Sequence, residues 1–569
     1  MTQHKQDGNG EHVTPDPSAG KAEEKSLSPR QLQILEMLRA GKINKEIANE
    51  LGIGLGTVKQ HVVALFKKLN VHNRAMAVSR ETRPRAETGA LLLDDSFLEH
   101  RPCVVLSFVL AADGADGDDG GNPLGRLLQQ TMAAHAYDHD AIFLARKQHA
   151  GDLIFGIQCA SETLMMHALH TANRIVQTLA VQRVTSATPL RAGMTVGLAV
   201  ASMNRYGGWS GEAIASAAIS QSRALAEAAA AEMLALGDAA RDLLQVLAPS
   251  SLNLVIKPHL RFDEMDRLPW RWLNAVAGTQ PVPPDLPGRE VEMAWLDAFL
   301  SEGVKRVNHT VYIAGEIGMG KSRLGDYVAV RAIQLGGVAF RLLCQRDMGE
   351  HQIFNLADGA PMPLSELQAR LVTVLAENVN PNVWVIDDCH LLPQTVLNAL
   401  LQQACQANDK LIVFCGRHVP GLVAAVDRTF HLGRIPQATL RNIAARYCSL
   451  DARASDMAAL LNWAMGVPLF AVELARHDTA RTLPLSLRMV IGARMDRLKL
   501  DRQLLRQVAC NPGTWNIGQL ARGMRESKSQ VRSGLERAVA SGVLALDDQD
   551  RFSFAHPLLR QAIIQSKVE

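Results

Sequence analysis

A glycine-rich run in the second half of the chain constrains the fold more than any other feature of the sequence. It reads VYIAGEIGMGKSRL, in which the apolar residues Val311–Ala314 precede the pattern G-x-x-x-x-G-K-S at Gly315–Ser322. Glycines let the backbone N–H groups curl around phosphates, the lysine reaches the β/γ-phosphates, and the hydroxyl binds Mg²⁺. We therefore predict an α/β P-loop domain whose cofactor is ATP or ADP with Mg²⁺. Its predicted nucleotide-binding residues are Gly315, Gly318, Gly320, Lys321 and Ser322, and Ser322 is also a predicted metal ligand.

A second run, NVWVIDDCHLL, contains four apolar strand residues followed by Asp387 and Asp388. A carboxylate at the end of such a strand is placed to hold Mg²⁺ through water, and a second one can polarise an attacking water. We predict that Asp387 is a metal-binding residue and that Asp388 is a catalytic residue. Apolar strand-like runs alternate with helices from Gly288 to about Gly433, which is typical of a parallel sheet.

The N-terminal region differs in charge and pattern from the rest of the chain. Residues 27–80 carry nine basic and three acidic residues, a net charge of +6, although the whole chain has only +3. Three helices are predicted, of which the third presents Val58, Val62, Leu65, Phe66 and Leu69 inward. A short turn with glycines joins the second helix to the third, as in a helix-turn-helix. Such a basic third helix can enter the major groove of double-stranded DNA, whereas a small bundle with a solvated basic face is the alternative.

The residues of this region decide between the two interpretations. The run LSPRQLQILEMLRAGKINKEIANELGIGLGTVKQHVVALFKKLNVHNRAMAV resembles the LuxR-type helix-turn-helix family along its whole length. The resemblance implies groove-facing positions at Lys59, Gln60 and Val63. It implies phosphate contacts from Asn44, Lys45, Thr57 and Lys68.

The C-terminal half, roughly residues 286–569, resembles the STAND class of AAA-type signalling ATPases. Short motifs in the class's order carry this likeness: G-R-E at Gly288–Glu290, LIVFCGR at Leu411–Arg417, G-V-P-L at Gly466–Leu469 and FAHPLLR at Phe554–Arg560. The resemblance implies a helical lid and a winged helix after the P-loop core. It also implies nucleotide contacts from Arg289, Pro468 and His556, and a catalytic sensor role for Arg417.

The middle of the chain, residues 101–248, resembles a class III nucleotide-cyclase domain. Strands are predicted at Val104–Val109 and Arg191–Gly197, a hairpin with a Gly-Asp turn at Ala150–Phe155, and an alanine-rich helix at Ser216–Leu236. Cyclase chemistry needs two carboxylates to hold two metals. Asp152 matches the second, but Leu110 stands at the first. Ser220 and Ala224 stand where the resemblance implies an asparagine and an arginine. We therefore predict a degenerate, non-catalytic domain in which Asp152 is a turn residue.

The predicted fold class is multidomain: an all-α helix-turn-helix head, an α+β cyclase-like domain, and an α/β P-loop NTPase with a helical lid and a winged helix. Length agrees, because 569 residues suggest roughly four domains at about 150 residues each. The predicted segments are a disordered tail (1–26), the head (27–80), a linker (81–100), the cyclase-like domain (101–248), a second linker (249–285), the ATPase core (286–435), the lid (436–483) and the winged helix (484–569).

These patterns predict a cytoplasmic transcription regulator that binds double-stranded DNA and switches between a closed ADP state and an open, oligomerising ATP state. The eight cysteines show no C-x-x-C spacing, and the longest apolar run is about half of what a membrane span needs. RNA polymerase is a candidate partner, and an inducer is expected but not identified. The arrangement resembles the large ATP-binding LuxR regulators, although their DNA-binding module is C-terminal and they have a solenoid sensor that we do not expect here.

Two other classes of function stay open at this point. A signalling enzyme, either a working cyclase or a dedicated ATPase, is one alternative. A nucleotide-gated protein scaffold is the other. At most slow, regulatory hydrolysis of ATP is expected.

Overall fold

The computed structural model divides the chain into two compact units, Met1–Asp94 and Asp95–Glu569, which are described separately. In the first unit it describes residues 29–39, 47, 51, 58, 61, 62 and 65. In the second unit it describes residues 96–568 except 111–122, 147–148, 162–163, 183–187, 213, 248–256, 263–282, 302–308, 344–352, 355–360, 363–381, 393, 395–396, 399, 403–409, 418, 449–453, 478–481, 511–516 and 547–550. The predicted tail 1–26 and residues 81–95 of the predicted linker lie outside the described residues.

The first unit has a helix where the sequence predicts one, α1 (Pro29–Arg39). Its Ile34 and Leu35 are buried, and so are Val58, Val62 and Leu65, three of the predicted inward positions. Phe66 and Leu69 lie outside the described residues. The Arg30 guanidinium donates a hydrogen bond of 2.9 Å to the Leu51 carbonyl, which ties α1 to the next segment.

Within the described residues, the second unit begins with a six-stranded sheet in the order β2-β3-β1-β4-β5-β6. Its strands are β1 (Phe97–Leu110), β2 (Ile142–Ala145), β3 (Ala150–Phe155), β4 (Leu190–Met203), β5 (Met233–Leu236) and β6 (His259–Arg261). Its helices are α2 (Pro123–Asp138), α3 (Leu164–Gln182), α4 (Ala217–Ala228) and α5 (Asp238–Leu247). The β4–β5 pair is parallel, and the other pairs are antiparallel.

Strand β1 is buried on both faces because helices cover both sides of the sheet. Val104 and Leu106 belong to a core with residues of α2, α3 and α5. Cys103 and Val105 face the opposite way, into a core that includes Ala218 of α4. This alternation is the period of two that a strand imposes on its side chains.

Two boundaries of this region differ from the prediction. The alanine-rich helix ends at Ala228 instead of reaching Leu236, because Met233–Leu236 pairs with β4 and its leucines are buried in the sheet. Strand β6 lies inside the predicted linker 249–285, and its Leu260 is buried against the same core. Sheet pairing therefore overrides the helical preference of alanine here.

The next part of the unit contains a seven-stranded sheet in the order β10-β9-β8-β11-β12-β7-β13. The strands are β7 (His309–Gly315), β8 (Val338–Leu343), β9 (Ile353–Phe354), β10 (Pro361–Met362), β11 (Asn382–Asp387), β12 (Lys410–Gly416) and β13 (Arg428–Leu432). Strands β8, β11, β12, β7 and β13 are parallel. Helices α6 (Glu290–Ser301), α7 (Lys321–Gln334) and α8 (Pro420–Ala425) accompany them.

The described residues after β13 are mainly helical. The helices are α9 (Gln437–Ala445), α10 (Ala454–Ala464), α11 (Pro468–Arg476), α12 (Leu485–Leu498), α13 (Arg502–Cys510), α14 (Ile517–Met524), α15 (Lys528–Ala540) and α16 (Pro557–Ser566). An antiparallel hairpin is formed by β14 (Leu544–Leu546) and β15 (Phe552–Phe554). One core joins α7 through Val328 to α9, α11, α13 and α16 through Leu440, Leu474, Leu504 and Leu559. The lid and winged-helix segments therefore share a core with the parallel sheet.

Candidate functional site

The glycine-rich loop connects the carboxyl end of β7 to the first residue of α7. Gly318 and Gly320 have φ angles of +78° and +93°, which favour glycine. A Cβ atom at Gly318 would lie 2.9 Å from side-chain carbons of Val467 and Leu469. Both the backbone conformation and the lack of space therefore require glycine at position 318.

Two side chains at the start of α7 already have defined partners. The Lys321 ammonium donates to the Glu316 carbonyl of the same loop, with Nζ and O 2.9 Å apart. The Ser322 hydroxyl donates to the Asp387 carboxylate at 3.0 Å. Asp387 is buried at the end of β11. The structure therefore brings together Lys321, Ser322 and Asp387, the three residues predicted to hold Mg²⁺ and phosphate.

Asp388 and Arg417 lie at the same edge of the sheet. Asp388 follows β11 directly, and its φ is +53°. Arg417 follows β12, and its carbonyl accepts a hydrogen bond from the buried Tyr312 hydroxyl. Burial and the charges of Arg417 and Lys321 lower the pKa of His390 to about 4. His390 is therefore neutral at physiological pH beside the two predicted catalytic residues.

Arg289 makes hydrogen bonds to the backbone of the glycine-rich loop. Its guanidinium donates to the Met319 carbonyl at 3.1 Å and to the Gly433 carbonyl at 2.7 Å. The side chain is only 7% exposed, and burial lowers its pKa. These contacts join the loop to the segment after β13. Arg289 therefore positions the backbone of the loop at the predicted nucleotide site.

The segment predicted to be the lid, residues 436–483, contacts the glycine-rich loop directly. The Leu469 amide donates to the Gly318 carbonyl at 3.2 Å, and Pro468 is the first residue of α11. The Gly466 carbonyl accepts from the Ile435 amide at 2.8 Å, which ties the lid to the end of the sheet. The structure thus places Pro468 next to the residue that contacts the loop, and its contact with a nucleotide stays a prediction.

His556 lies against the lid. Its Nδ1 accepts a hydrogen bond of 3.2 Å from the Leu558 amide and caps α16. Its ring meets the Phe470 ring edge-on, with centroids 5.2 Å apart. Burial and the charge of Arg434 lower the pKa of His556 to about 4. The neutral ring therefore connects the winged-helix segment to α11 at Phe470, which lies two residues after Pro468.

The prediction that Asp152 is a turn residue is wrong. Asp152 lies within β3 and is fully buried. Its carboxylate accepts from the Ser107 hydroxyl and from Arg223, both at 2.7 Å, and lies 3.3 Å from the Arg146 guanidinium. Two cations and a hydroxyl therefore satisfy the carboxylate that the cyclase resemblance assigns to a metal.

The residues at the other positions of the cyclase resemblance also have defined surroundings. Leu110 is fully buried, and the Ser220 hydroxyl donates to its own helix at the Ala217 carbonyl, 2.9 Å away. In the described parts of the chain, no group of three or more His, Cys, Asp and Glu side chains is arranged to hold a metal ion.

The partners of Asp152 come from β1, from α4 and from the loop after β2, so no local sequence motif predicts them. A second group that sequence reasoning missed joins β1 to α12 and α13. Asp496 accepts hydrogen bonds from Arg101 and Arg502, and Arg502 also pairs with Glu99. The one available signal was the spacing of Glu99 and Arg101, which places both charges on the same face of a largely apolar strand.

The predicted DNA-binding residues lie outside the described residues. They are Asn44, Lys45, Thr57, Lys59, Gln60, Val63 and Lys68. No helix in the described segments is long and apolar enough to cross a membrane.

Two solved structures are similar to parts of the chain at low scores. A mutant of Thermotoga maritima RuvB has a TM-score of 0.28 and 17% sequence identity, and the match covers 48% of this chain and 95% of that one. The guanylyl cyclase Cya2 has a TM-score of 0.22 and 12% identity, with 25% and 78% covered. Both scores are too low to establish a shared fold.

The N-terminal region has close relatives. Residues 25–80 match the family described as bacterial regulatory proteins, luxR family. A putative HTH-type transcriptional regulator YhjB of Escherichia coli is 55% identical over 53 residues, which are 9% of this chain and 26% of the relative. A glycerol metabolism activator of Pseudomonas putida is 49% identical over 53 residues, 9% and 24% of the two chains. The chain thus spans about a quarter of the length of these curated relatives. Residues 25–80 are a LuxR-type helix-turn-helix domain.

Proposed function

We propose that this protein is a transcription regulator whose DNA binding is controlled by a bound nucleotide. The observation that carries the proposal is the presence of a LuxR-type domain at residues 25–80 in the same chain as a glycine-rich loop with an ordered lysine, serine and carboxylate. The head would read double-stranded DNA through Lys59, Gln60 and Val63. Asn44, Lys45, Thr57 and Lys68 would contact its phosphates.

The second unit would hold ATP or ADP with Mg²⁺ at the carboxyl edge of the parallel sheet. Amides of the loop and the ammonium of Lys321 would bind phosphates, and the bound metal would neutralise phosphate charge. Ser322 and Asp387 would hold that metal together with phosphate oxygens and water, as is usual for Mg²⁺. Asp388 would orient a water, and Arg417 would stabilise charge during slow hydrolysis.

Lid contacts support a switch rather than a fast enzyme. The loop carbonyl at Gly318 bonds to Leu469, and α11 also packs on His556 of the winged-helix segment. A nucleotide in the loop would therefore be sensed by both segments. We propose that ADP favours a closed arrangement and that ATP opens it, which would permit self-association and contact with RNA polymerase. The inducer is not identified by these contacts.

Cyclase activity is not part of the proposal. The buried Asp152 has two arginine partners, and Leu110 offers no ligand at the other metal position. The six-stranded domain would then serve sensing or self-association.

The DNA-binding part of the proposal is tested with the double variant Lys59→Ala, Gln60→Ala. Binding sites would first be selected from random DNA with the full chain, and affinity then measured by fluorescence anisotropy at one fixed salt concentration. We expect the double variant to lose about 100-fold in affinity, since each good base contact contributes roughly 1–3 kcal/mol.

The control is Arg126→Ala, which removes an exposed charge from α2. It should bind as the unaltered chain does. Equal affinity of the double variant and the control would contradict the assignment of Lys59 and Gln60.

A further inference from the structure

A small cavity lies where the start of β1 meets α12, α13 and α16. Its volume is about 50 Å³, which at roughly 10–15 Å³ per water corresponds to about three to five water molecules. Pro102, Ile491, Met495 and Ile563 supply an apolar part of its wall. A space of this size admits a small ion or acid.

Positive side chains outnumber negative ones around this cavity. Four guanidiniums line it, and Glu99 is the one carboxylate among the lining residues that the structure describes. The lining guanidiniums are those of Arg101, Arg488, Arg502 and Arg506. Arg101 and Arg502 are neutralised by ion pairs with Asp496 and Glu99.

Arg488 has neutral partners instead. Its Nη2 donates to the Gln565 side-chain carbonyl at 2.6 Å, and its Nε donates to the Leu483 carbonyl at 3.1 Å. None of its partners in the described part of the molecule is a carboxylate. Burial lowers the pKa of Arg488, which means that the site disfavours its charge.

Arg506 also makes its hydrogen bonds to neutral groups. It makes long hydrogen bonds to the Leu98 carbonyl at 3.4 Å and the Ser566 carbonyl at 3.3 Å, and its guanidinium carbon lies 4.0 Å from the Phe97 ring centroid. Burial lowers its pKa, and the charge of Glu99 offsets this only in part. A largely buried cation without an ion pair costs free energy that a bound anion would recover.

We propose that this cavity is a binding site for a small anion, a carboxylate or a phosphate, held by Arg488 and Arg506. A guanidinium presents paired N–H donors that match both anions. The apolar wall favours a carboxylate with a short hydrocarbon part. The site is separate from the glycine-rich loop, and it does not depend on whether the protein regulates transcription.

Calorimetric titration of the full chain tests the proposal, with sodium acetate and sodium phosphate as separate probes at an ionic strength held constant with chloride. We expect saturable binding of at least one probe at one site per chain. Arg506→Gln should weaken it at least tenfold, whereas Arg506→Lys, which keeps the charge, should weaken it less. Arg446→Gln is the matched control, because Arg446 forms an exposed ion pair with Asp285 outside the cavity.

Phosphate could also bind the glycine-rich loop, so Lys321→Ala is titrated in parallel. Binding that survives in Lys321→Ala and falls in Arg506→Gln supports the cavity; the reverse pattern overturns it. If the Arg506 variants do not fold, hydrogen exchange of the unaltered chain decides. Slower exchange at residues 97–102 and 488–506 on adding acetate or phosphate supports the site, and unchanged exchange there refutes it.

Discussion

Replacing Lys321 by alanine is expected to weaken the binding of ATP to the full chain at least about 100-fold, which is about 2.8 kcal/mol at ~1.4 kcal/mol per factor of ten. In the structure the ammonium is hydrogen-bonded to the Glu316 carbonyl at the mouth of the glycine-rich loop. Because this partner is a neutral carbonyl, the ammonium can move to a phosphate without breaking an ion pair. Alanine removes that charge and leaves the loop amides and the metal held by Ser322 and Asp387 to bind the anion.

Affinity would be measured by equilibrium titration with a fluorescent ATP analogue in the presence of Mg²⁺. Arg331→Gln is the control on the same helix, because Arg331 pairs with Asp297 at 2.8 Å. We expect it to bind within about twofold of the unaltered chain, which corresponds to less than ~0.5 kcal/mol. Undiminished binding by Lys321→Ala would show that the nucleotide site is elsewhere or absent.

Replacing Asp496 by alanine is expected to destabilise the second unit by roughly 3–5 kcal/mol, the cost of breaking a buried ion pair by removing one partner. Asp496 accepts hydrogen bonds from Arg101 at 3.0 Å, from the Ala160 amide at 2.7 Å and from Arg502. Its side chain is only 5% exposed. The substitution leaves two guanidiniums buried between β1 and α13 with one carboxylate, Glu99.

Urea unfolding followed by tryptophan fluorescence measures this loss, and hydrogen exchange locates it at β1 and α12. Asp285→Ala removes one partner of an exposed ion pair and should change stability by less than ~0.5 kcal/mol. A loss below about 1 kcal/mol for Asp496→Ala would contradict the role assigned to this network.

The same residue makes stability depend on acid pH. Burial alone would raise the pKa of Asp496, but the Arg101 and Arg502 guanidiniums hold it below its usual value. The carboxylate therefore contributes stability above the unfolded-state pKa of about 3.9, and the contribution is lost as pH falls through the lower folded-state pKa. We expect the Asp496→Ala variant to lack this part of the acid transition.

Local motifs could be predicted from the sequence because their chemistry fixes spacing along the chain. The helix-turn-helix prediction for residues 27–80 is confirmed by the family match at 25–80. The strand before Gly315 and the helix at Lys321 are present, with Ser322 bonded to Asp387 across 65 positions. Nucleotide binding at this loop stays a prediction.

Pairings between distant elements could not be predicted. Asp152 looked like a turn residue because Gly-Asp favours turns, yet Arg223 reaches it from 71 positions away and holds it inside a strand. Arg101 meets Asp496 across 395 positions. The segment Met233–Leu236 continued a helical pattern, and its pairing with β4 is a tertiary effect that no local preference reveals.

The central claim, that the nucleotide controls DNA binding, is tested most directly by the affinity of the full chain for a selected DNA site with saturating ADP or with a non-hydrolysable ATP analogue. The account predicts at least about a fivefold difference between the two nucleotides, which is the lower end of typical coupling between sites. It also predicts that Lys321→Ala shows no such difference. Equal DNA affinities with both nucleotides bound to the unaltered chain would contradict it.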